Sequence, residues 1–378
     1  MLVRSRGSRY IMTMTSRNHN LKIALAQLNP VVGDLSVNAA LLQEARAEAA
    51  RAGADIVVVG ELFVTGYPPE DLVLKRSFVA RTRVVIDDLV ALTADGGPAL
   101  IFGAPFVEGG QLYNSVIAAD GGQMAVRHKH HLPNYAVFDE KRLFSAGPMP
   151  EPVDLRGVLV GLPVCEDIWF PDVSAHLHAA GAELLISPNG SPFERGKHTK
   201  RLDHARARAR ETGLPLIYVN QFGGQDELVF DGGSFIIGSD GEVVVQAPVW
   251  TSHIATTDWQ NNDAGWTCMS QSLVPAPGDL AQIYQAAVLG LRDYVNKNRF
   301  PGVLLGLSGG IDSAICAAMA VDALGAEQVH AVMLPLRYTS QSSLDDAAAC
   351  AMALGIRLDT VPITPPVDAV ESVLSDMF

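Results

Sequence analysis

Short apolar runs recur along this chain, and turn residues bound each of them. Ile56–Val59, Val158–Val164 and Val303–Leu307 are three such runs. A continuous run of four to eight aliphatic residues is typical of a strand that is buried on both faces. Segments with apolar residues three or four positions apart lie between the runs, for example from Lys197 to Thr212. Because buried strands alternate with helices in this way, the sequence predicts an α/β protein.

The domain organisation follows from changes in this pattern along the 378 residues. Residues 1–20 contain four arginines and no acidic residue, which predicts a disordered basic leader. Residues 21–258 are rich in strands and form a first α/β unit. Residues 259–279 lose the periodicity and are interpreted as a linker. Residues 280–378 alternate helix and strand strictly, which predicts a doubly wound parallel sheet with three strands.

Charge and composition exclude several classes of protein. The 28 basic and 41 acidic side chains give a net charge of −13, which argues against a protein that binds a nucleic-acid backbone. No apolar run approaches the roughly 18 residues of a membrane span. The four cysteines show no paired spacing, and that usage is typical of a reducing cytosol. We therefore predict a cytoplasmic protein that binds neither nucleic acid nor membrane.

Three reactive side chains follow the ends of predicted strands, namely Glu61, Lys129 and Cys165. Because the carboxyl ends of strands face the ligand crevice in open α/β sheets, we expect these side chains to converge. A carboxylate can accept the proton of a thiol, and an ammonium group can stabilise both a thiolate and an oxyanion. The set suits acyl transfer on an amide. Spacing alone leaves the alternative open that a core cysteine lies near two solvated surface charges.

The residues around these three are more selective. Segments 61–72, 129–135 and 165–169 resemble, in this order, the nitrilase or carbon-nitrogen hydrolase superfamily. They are especially similar to the glutamine amidase domain of glutamine-dependent NAD synthetases. The resemblance covers residues 21–258 and implies an α-β-β-α sandwich. It implies that Cys165 is the nucleophile, Glu61 the general base and Lys129 the oxyanion-stabilising cation, and Glu140 matches the supporting second glutamate of the family.

The same resemblance implies that glutamine is the substrate. Glu166 is similar to the acid that meets the substrate ammonium, and three further residues match substrate contacts of the family: Tyr135, Ser191 and Lys197. A free amino acid presents an ammonium and a carboxylate, so its pocket needs an acid and several donors. Residues 220–226 also resemble a segment of the family, without roles that can be assigned to single residues.

A cluster of histidines suggests a metal site as an alternative. His128, His130 and His131 lie within four positions of one another. A zinc site needs three or four converging ligands, whereas neighbours on an extended chain point to opposite sides. We therefore expect these histidines to be loop residues around Lys129 and not metal ligands.

A second motif follows the predicted strand Val303–Leu307. Its glycines allow close backbone approach to a ligand, and the helix that follows offers unpaired N–H groups to an anion. Asp312 can hold a magnesium ion against phosphates. A plain strand-to-helix turn is the alternative, and the motif is not a Walker loop because no Gly-Lys-Ser/Thr occurs. The motif consists of Gly306, Leu307, Ser308, Gly309, Gly310, Ile311, Asp312 and Ser313.

This string resembles the pyrophosphate loop of ATP pyrophosphatases, whose fold is similar to that of adenine nucleotide α-hydrolases. The resemblance implies that the motif binds ATP and Mg²⁺. Residues 334–340 are similar to a segment of NAD synthetases, in which Arg337 meets a phosphate or adenosine; a surface arginine is an equally ordinary explanation. The family usually has Ser where this chain has Leu336, so that contact departs from the family pattern.

Together the two halves resemble glutamine-dependent NAD synthetases. The resemblance implies that a Cys165 thioester releases ammonia from glutamine, and that ammonia then amidates deamido-NAD that ATP has adenylated. It also implies a shielded ammonia passage and a homo-oligomer. The alternatives are an amidase fused to another amide-forming ATP pyrophosphatase, and a binding module without turnover. Because the synthetase domain of the family extends beyond the stretch matched here, we expect this chain to hydrolyse glutamine without making NAD unaided.

Overall fold

A computed structural model describes residues 19–263, 265–375 and 377. The predicted leader lies outside the described residues except for His19 and Asn20, which begin the first strand. In chain order the strands are β1 (His19–Gln27), β2 (Ile56–Val58), β3 (Ala99–Glu108), β4 (Gln111–Asp120), β5 (Gln123–His128), β6 (Val153–Leu155), β7 (Val158–Gly161), β8 (Leu184–Asn189), β9 (Leu216–Asn220), β10 (Phe222–Gln225), β11 (Leu228–Asp231), β12 (Phe235–Ile237), β13 (Val243–Gln246), β14 (His253–Asn262), β15 (Gly265–Cys268), β16 (Ser272–Leu273), β17 (Val303–Gly306), β18 (Val329–Met333) and β19 (Arg357–Thr360).

The α-helices flank these strands. They are α1 (Leu35–Arg51), α2 (Arg76–Leu92), α3 (Glu140–Leu143), α4 (Pro171–Ala179), α5 (Lys197–Thr212), α6 (Asp279–Lys297), α7 (Ile311–Leu324), α8 (Gln341–Leu354) and α9 (Thr364–Leu374). We call β1–β16 with α1–α5 the first unit, and α6–α9 with β17–β19 the second unit. None of the helices among the described residues is long and apolar enough to cross a membrane.

Two seven-stranded sheets form the centre of the first unit. Their strand orders are β15-β14-β1-β2-β3-β4-β5 and β16-β13-β12-β9-β8-β7-β6. Aliphatic side chains from both sheets, such as Ile23 and Leu184, share one buried core. Helices α1 and α2 pack on the outer face of the first sheet, and α4 and α5 pack on the outer face of the second. The predicted α-β-β-α sandwich is therefore confirmed.

Parallel pairing places several strand ends at one edge of the sandwich. β2 pairs in parallel with β1 and β3, while β8 pairs in parallel with β7 and β9. Glu61 follows β2, Cys165 follows β7 and Gly190 follows β8. Lys129 directly follows β5, which runs antiparallel to β4. The sheet topology thus gathers residues that lie far apart in the sequence.

One segment, residues 259–279, differs from its predicted secondary structure. Residues 259–279 were expected to be irregular, yet they contain the end of β14 together with β15 and β16. Trp259 and Trp266 in this segment are buried in the core between the two sheets. Because that burial offsets weak local propensity, the irregular linker prediction was wrong for these residues. The domain boundaries themselves stay predictions.

The second unit is a three-stranded parallel sheet with the order β17-β18-β19. Val303 pairs with Val329, and His330 pairs with Arg357. Small residues of the helices pack against the sheet, including Ala317 of α7 and Ala347 of α8. The predicted alternation of helix and strand is confirmed here, and α9 is an additional helix that the sequence analysis did not predict.

Candidate active site

Cys165 lies at the start of a tight turn and not at the end of a strand. β7 ends at Gly161, four residues earlier than Cys165. The strand was predicted to continue to Val164, but Pro163 has no N–H group for the ladder. A 3₁₀ turn begins at Cys165 and ends at Trp169. The φ angle of Cys165 is +46°, a strained conformation for a residue with a Cβ atom, and such strain is often found at functional sites.

The turn is fastened by Asp167, a residue to which the sequence analysis gave no role. One carboxylate oxygen of Asp167 accepts the backbone N–H of Val164 at 2.9 Å. The other oxygen accepts the backbone N–H groups of His130 at 3.2 Å and His131 at 2.8 Å. Burial raises the pKa of Asp167 to about 6. Asp167 therefore joins the cysteine turn to the loop that follows Lys129.

Lys129 lies between two carboxylates in the protein interior. Its Nζ is 2.6 Å from Oε1 of Glu61 and 2.8 Å from Oε1 of Glu140. Burial alone would lower the pKa of Lys129, but the charges of Glu140 and Glu61 outweigh it and raise that pKa well above its usual value. Burial, with the nearby charge of Glu61, raises the pKa of Glu140 to about 7. Lys129 is thus a cation at neutral pH.

Both oxygens of Glu61 have hydrogen-bond donors. Asn114 Nδ2 donates to Oε1 of Glu61 at 2.7 Å, and the backbone N–H of Gly190 donates to Oε2 at 3.0 Å. Asn114 also donates to Oε2 of Glu140 at 3.3 Å, and the hydroxyl of Tyr67 donates to Oε1 of Glu140 at 3.0 Å. The sequence analysis assigned no role to Asn114 or Tyr67. Tyr67 lies within the recognised segment 61–72, so that segment was the available signal.

A glycine lets β3 pass directly behind Glu61. A Cβ atom added to Gly103 would lie 2.1 Å from the backbone nitrogen of Leu62 and 2.8 Å from the Cα of Glu61. Real Cβ atoms do not approach backbone so closely, so only glycine fits at this position.

The thiol of Cys165 is protonated in this environment. Burial raises its pKa, and the charge of Glu61 raises it further while that of Lys129 opposes the rise. The thiolate therefore needs a base that removes the proton when substrate is in place. Glu61 is the carboxylate held beside the Lys129 ammonium. The electrostatic effect of Glu61 and Lys129 on the Cys165 thiol shows that the three predicted residues converge.

A cavity of about 580 Å³ opens beside the cysteine turn. We call it the pocket. Its lining includes His130, His131, Tyr135, Lys141 and Glu166. The hydroxyl of Tyr135 donates to Glu166 Oε2 at 2.9 Å. Burial raises the pKa of Glu166 although the Tyr135 hydrogen bond opposes the rise.

The other two predicted substrate contacts, Ser191 and Lys197, are not part of this lining. Ser191 is buried, and its Oγ accepts a hydrogen bond from Nε of Arg201 at 3.0 Å. Lys197 Nζ lies 5.5 Å from the centre of the Trp169 ring and 3.5 Å from Oε2 of Glu194. Arg201, which the sequence analysis did not single out, is fully buried against Asp231 at 2.8 Å. It fixes the loop that carries Ser191.

The histidines divide into two groups. His128 Nδ1 lies 2.7 Å from the hydroxyl of Ser115, and its ring stacks on Tyr113. His130 and His131 do not point to opposite sides, since their ring centres are 4.7 Å apart. The expectation that they diverge was wrong because β5 ends at His128, and both following N–H groups turn toward the same oxygen of Asp167.

The second predicted motif joins β17 to α7. Gly309 has a φ of +78°, and an added Cβ would lie 2.3 Å from the carbonyl oxygen of Ser343. The hydroxyls of Ser308 and Ser313 are 3.1 Å apart. Asp312 is exposed on the first turn of α7. A cavity of about 270 Å³ adjoins the loop, and Gly306, Leu307 and Ser308 are part of its lining.

Arg337 pairs with acidic side chains of α9. Its guanidinium group donates to both oxygens of Glu371 at 2.7 Å and also to Asp368. Both carboxylates belong to α9, a helix that the sequence analysis missed. A phosphate contact by Arg337 would have to compete with these two ion pairs, and the predicted role stays a prediction.

Comparisons with known proteins agree with this geometry. A carbon-nitrogen hydrolase family model matches residues 22–267, and an NAD synthase family model matches residues 283–377. The glutamine-dependent NAD(+) synthetase of Rhodobacter capsulatus is 50% identical over 366 residues, which cover 97% of this chain and 66% of that protein. The chain therefore spans about two thirds of the length of this curated relative.

Two solved structures are also similar. The glutamine-dependent NAD+ synthetase from Acinetobacter baumannii, in complex with ADP, has a TM-score of 0.89 and 38% identity; the match covers 95% of this chain and 68% of that chain. An amidase from Nesterenkonia sp. AN1, with acrylamide added at its active-site cysteine, has a TM-score of 0.56 and 28% identity. That match covers 62% of this chain and 92% of the amidase.

Proposed function

Because the chain belongs to the glutamine-dependent NAD(+) synthetase family, we propose that its first unit hydrolyses glutamine and supplies ammonia to its second unit. The observation that carries this proposal is the buried cluster of Glu61, Lys129 and Glu140 beside the strained turn of Cys165. A buried cation held by two carboxylates next to a protonated thiol suits attack on an amide.

The first step uses Glu61 as the base. Glu61 accepts the thiol proton, and Sγ of Cys165 attacks the side-chain amide carbon of glutamine. Lys129 stabilises the negative charge that develops on the amide oxygen. Collapse of the tetrahedral intermediate breaks the C–N bond, and the proton held by Glu61 passes to the nitrogen, so that ammonia leaves and a γ-glutamyl thioester remains.

The second step returns the enzyme to its starting state. A water molecule gives a proton to Glu61 and attacks the thioester carbonyl, and the C–S bond then breaks. The thiolate recovers a proton and glutamate is released. Glu140 supports both steps by holding Lys129 at 2.8 Å and by accepting the Tyr67 hydroxyl. We assign no direct contact with the reacting atoms to it.

We propose that the pocket recognises glutamine through its charged ends. The carboxylate of Glu166 accepts hydrogen bonds from the substrate ammonium. Tyr135 orients this carboxylate, because its hydroxyl donates to Glu166 Oε2 at 2.9 Å. Ser191 and Lys197 supply donors for the substrate. The acid thus matches the amino group of glutamine, and the donors match the rest of the molecule.

For the second unit we propose that residues 306–313 bind ATP for adenylation of deamido-NAD, which ammonia then converts to NAD. Gly309 lets the loop pass against the backbone of Ser343, where an added Cβ would not fit, and the loop leads into the start of α7, where helix N–H groups can meet phosphates. Asp312 and the hydroxyls of Ser308 and Ser313 fit a phosphate-bound Mg²⁺, which would neutralise phosphate charge there. The binding of ADP by the Acinetobacter relative supports a nucleotide site.

The cellular setting belongs to the same proposal. All four cysteines are free thiols, which supports a reducing, cytoplasmic location. The homo-oligomer stays a prediction.

Release of glutamate from glutamine tests the first half directly. We expect glutamate formation that does not require ATP, and a chain that releases none contradicts the proposal. Supplying ammonia with ATP, Mg²⁺ and deamido-NAD bypasses the first unit. NAD formed under those conditions supports the second half and shows that the expectation of no unaided NAD synthesis was wrong, whereas glutamine hydrolysis without any NAD agrees with that expectation and limits the proposal to the first unit.

A further inference from the structure

Three potential metal ligands meet at the rim of the pocket. One ring nitrogen each from His130 and His131, and one carboxylate oxygen of Asp172, lie within 4.8 Å of one another. Neither the proposed hydrolysis of glutamine nor its recognition uses these side chains. We propose that His130, His131 and Asp172 bind a divalent transition-metal ion of the Zn²⁺ class.

The hydrogen bond of His130 fixes the tautomer that a metal requires. Its Nδ1 lies 2.7 Å from the carbonyl oxygen of Gly147. A carbonyl oxygen only accepts, so Nδ1 carries the proton and the neutral ring keeps a lone pair on Nε2. Metal-binding imidazoles commonly donate their other N–H to a backbone carbonyl in this way.

Asp172 supplies the carboxylate ligand. Its Oδ1 accepts the backbone N–H of Val173 at 2.9 Å, which orients the carboxylate at the start of α4. His131 Nε2 lies 2.9 Å from Oδ1 and 3.0 Å from Oδ2 of Asp172. A metal ion would replace the proton between this nitrogen and the carboxylate, and that proton would pass to water.

The two histidines are presented together by a buried anchor. Both of their backbone N–H groups donate to one oxygen of Asp167, which is fully buried. The backbone is thus held, while both histidine side chains stay partly exposed. Zinc bonds of about 2.0–2.2 Å place tetrahedral ligand atoms about 3.4 Å apart, so side-chain rotation must bring the most distant pair closer.

The donor set indicates the kind of metal. Two imidazoles and one carboxylate are borderline ligands that suit Zn²⁺, Co²⁺ and similar ions better than Ca²⁺, which prefers six to eight oxygen ligands. Three protein ligands leave a fourth position of a tetrahedral site for water. Both histidines are part of the lining of the pocket.

Co²⁺ is the probe for the test, because tetrahedral Co²⁺ has visible d–d absorption bands and thiolate ligands add a strong near-ultraviolet band. The full chain, stripped with a chelator, is titrated with Co²⁺. We expect visible bands without thiolate absorption, and displacement of Co²⁺ by Zn²⁺. Asp172→Asn and His131→Gln should each weaken the affinity by about tenfold or more.

His176→Gln is the matched control. Like Asp172, His176 lies on α4. Like His131, it pairs with a carboxylate, since its Nε2 is 3.2 Å from Oε1 of Glu151, but it is outside the cluster. This variant should keep the parent affinity. Absence of visible bands, a thiolate band, or equal loss of affinity in all three variants would overturn the proposal. Because the readout is metal binding, the result is independent of whether the chain hydrolyses glutamine.

Discussion

Asp293 of the second unit accepts a hydrogen bond from Nδ2 of Asn29 in the first unit at 2.7 Å. The same oxygen of Asp293 accepts the backbone N–H of Gly224 at 2.6 Å. One turn later, Lys297 donates to the carbonyl oxygens of Pro30 and Gly224 at 2.9 and 2.8 Å. A buried carboxylate and an adjacent ammonium thus fasten α6 to the loop after β1 and to strand β10 of the first unit.

This contact lies on a short path between the two proposed sites. Gly224 belongs to β10, which follows Asn220, and the side chain of Asn220 accepts the backbone N–H of Ser191 at 2.9 Å. At the other end, α6 precedes β17 and residues 306–313. Asp293 thus lies between a segment that leads to Ser191 and a helix that leads along the chain to residues 306–313.

Replacing Asp293 should weaken the connection between the units. Asp293→Ala leaves the buried N–H groups of Asn29 and Gly224 without their acceptor, and we expect the free energy of unfolding to fall by about 2 kcal/mol. Urea denaturation measures this change. Asp279→Ala is the control, since Asp279 also joins α6 to the first unit through Arg195 but both side chains are exposed.

The control should change stability by less than about 0.5 kcal/mol, because solvent screens exposed ion pairs. Equal effects of the two substitutions would show that burial of Asp293 does not matter.

Replacing the nucleophile should stop glutamine hydrolysis. Cys165→Ala removes the thiol, and we expect the rate of glutamate release to fall by on the order of 10⁶. Near-ultraviolet circular dichroism should stay unchanged, because a buried alanine occupies less space at the same turn. Cys316→Ala, at an exposed cysteine, should keep the parent rate. If Cys165→Ala released glutamate at the parent rate, the thioester mechanism would be excluded.

Local patterns were sufficient to predict much of the fold. The helix Lys197–Thr212 has the predicted bounds, since Gly213 ends the helical period. α2 was missed because its centre, Val84-Val85-Ile86, is β-branched like a strand. Its helical state depends on packing of Ile86 and Leu89 against the first sheet.

The active site was predictable where it lies in recognisable segments. Glu61, Lys129 and Cys165 all belong to such segments, and the structure places them together with Glu140. Asn114 could not be found in this way because its position depends on pairing between β4 and β5. Its carbonyl oxygen accepts the N–H of Lys129 at 2.8 Å, and that cross-strand register is a tertiary property.

Glu140 should make stability depend on pH. Burial raises its pKa from 4.5 to about 7, so between these values the folded protein binds more protons than the unfolded chain. Stability from this group is therefore complete below about pH 4.5 and is lost as the pH rises to about 7. Glu140→Gln removes the titration. The free energy of unfolding of the parent, relative to this variant, should fall across that range, and a constant difference would contradict the raised pKa.

The last prediction concerns Asp312. Asp312→Asn removes one ligand charge near the phosphates, so ATP should bind more weakly in the presence of Mg²⁺, while binding without Mg²⁺ changes little. Glutamate release should stay at the parent rate because Asp312 lies outside the first unit. Asp322→Asn is the matched control on α7, since Asp322 accepts the hydroxyl of Tyr284 at 2.6 Å near the opposite end of the helix. Calorimetric titration of ATP with and without Mg²⁺ measures the effect. If both variants keep the same Mg²⁺ dependence as the parent, Asp312 does not hold the ion, and the proposed role of residues 306–313 loses its metal ligand.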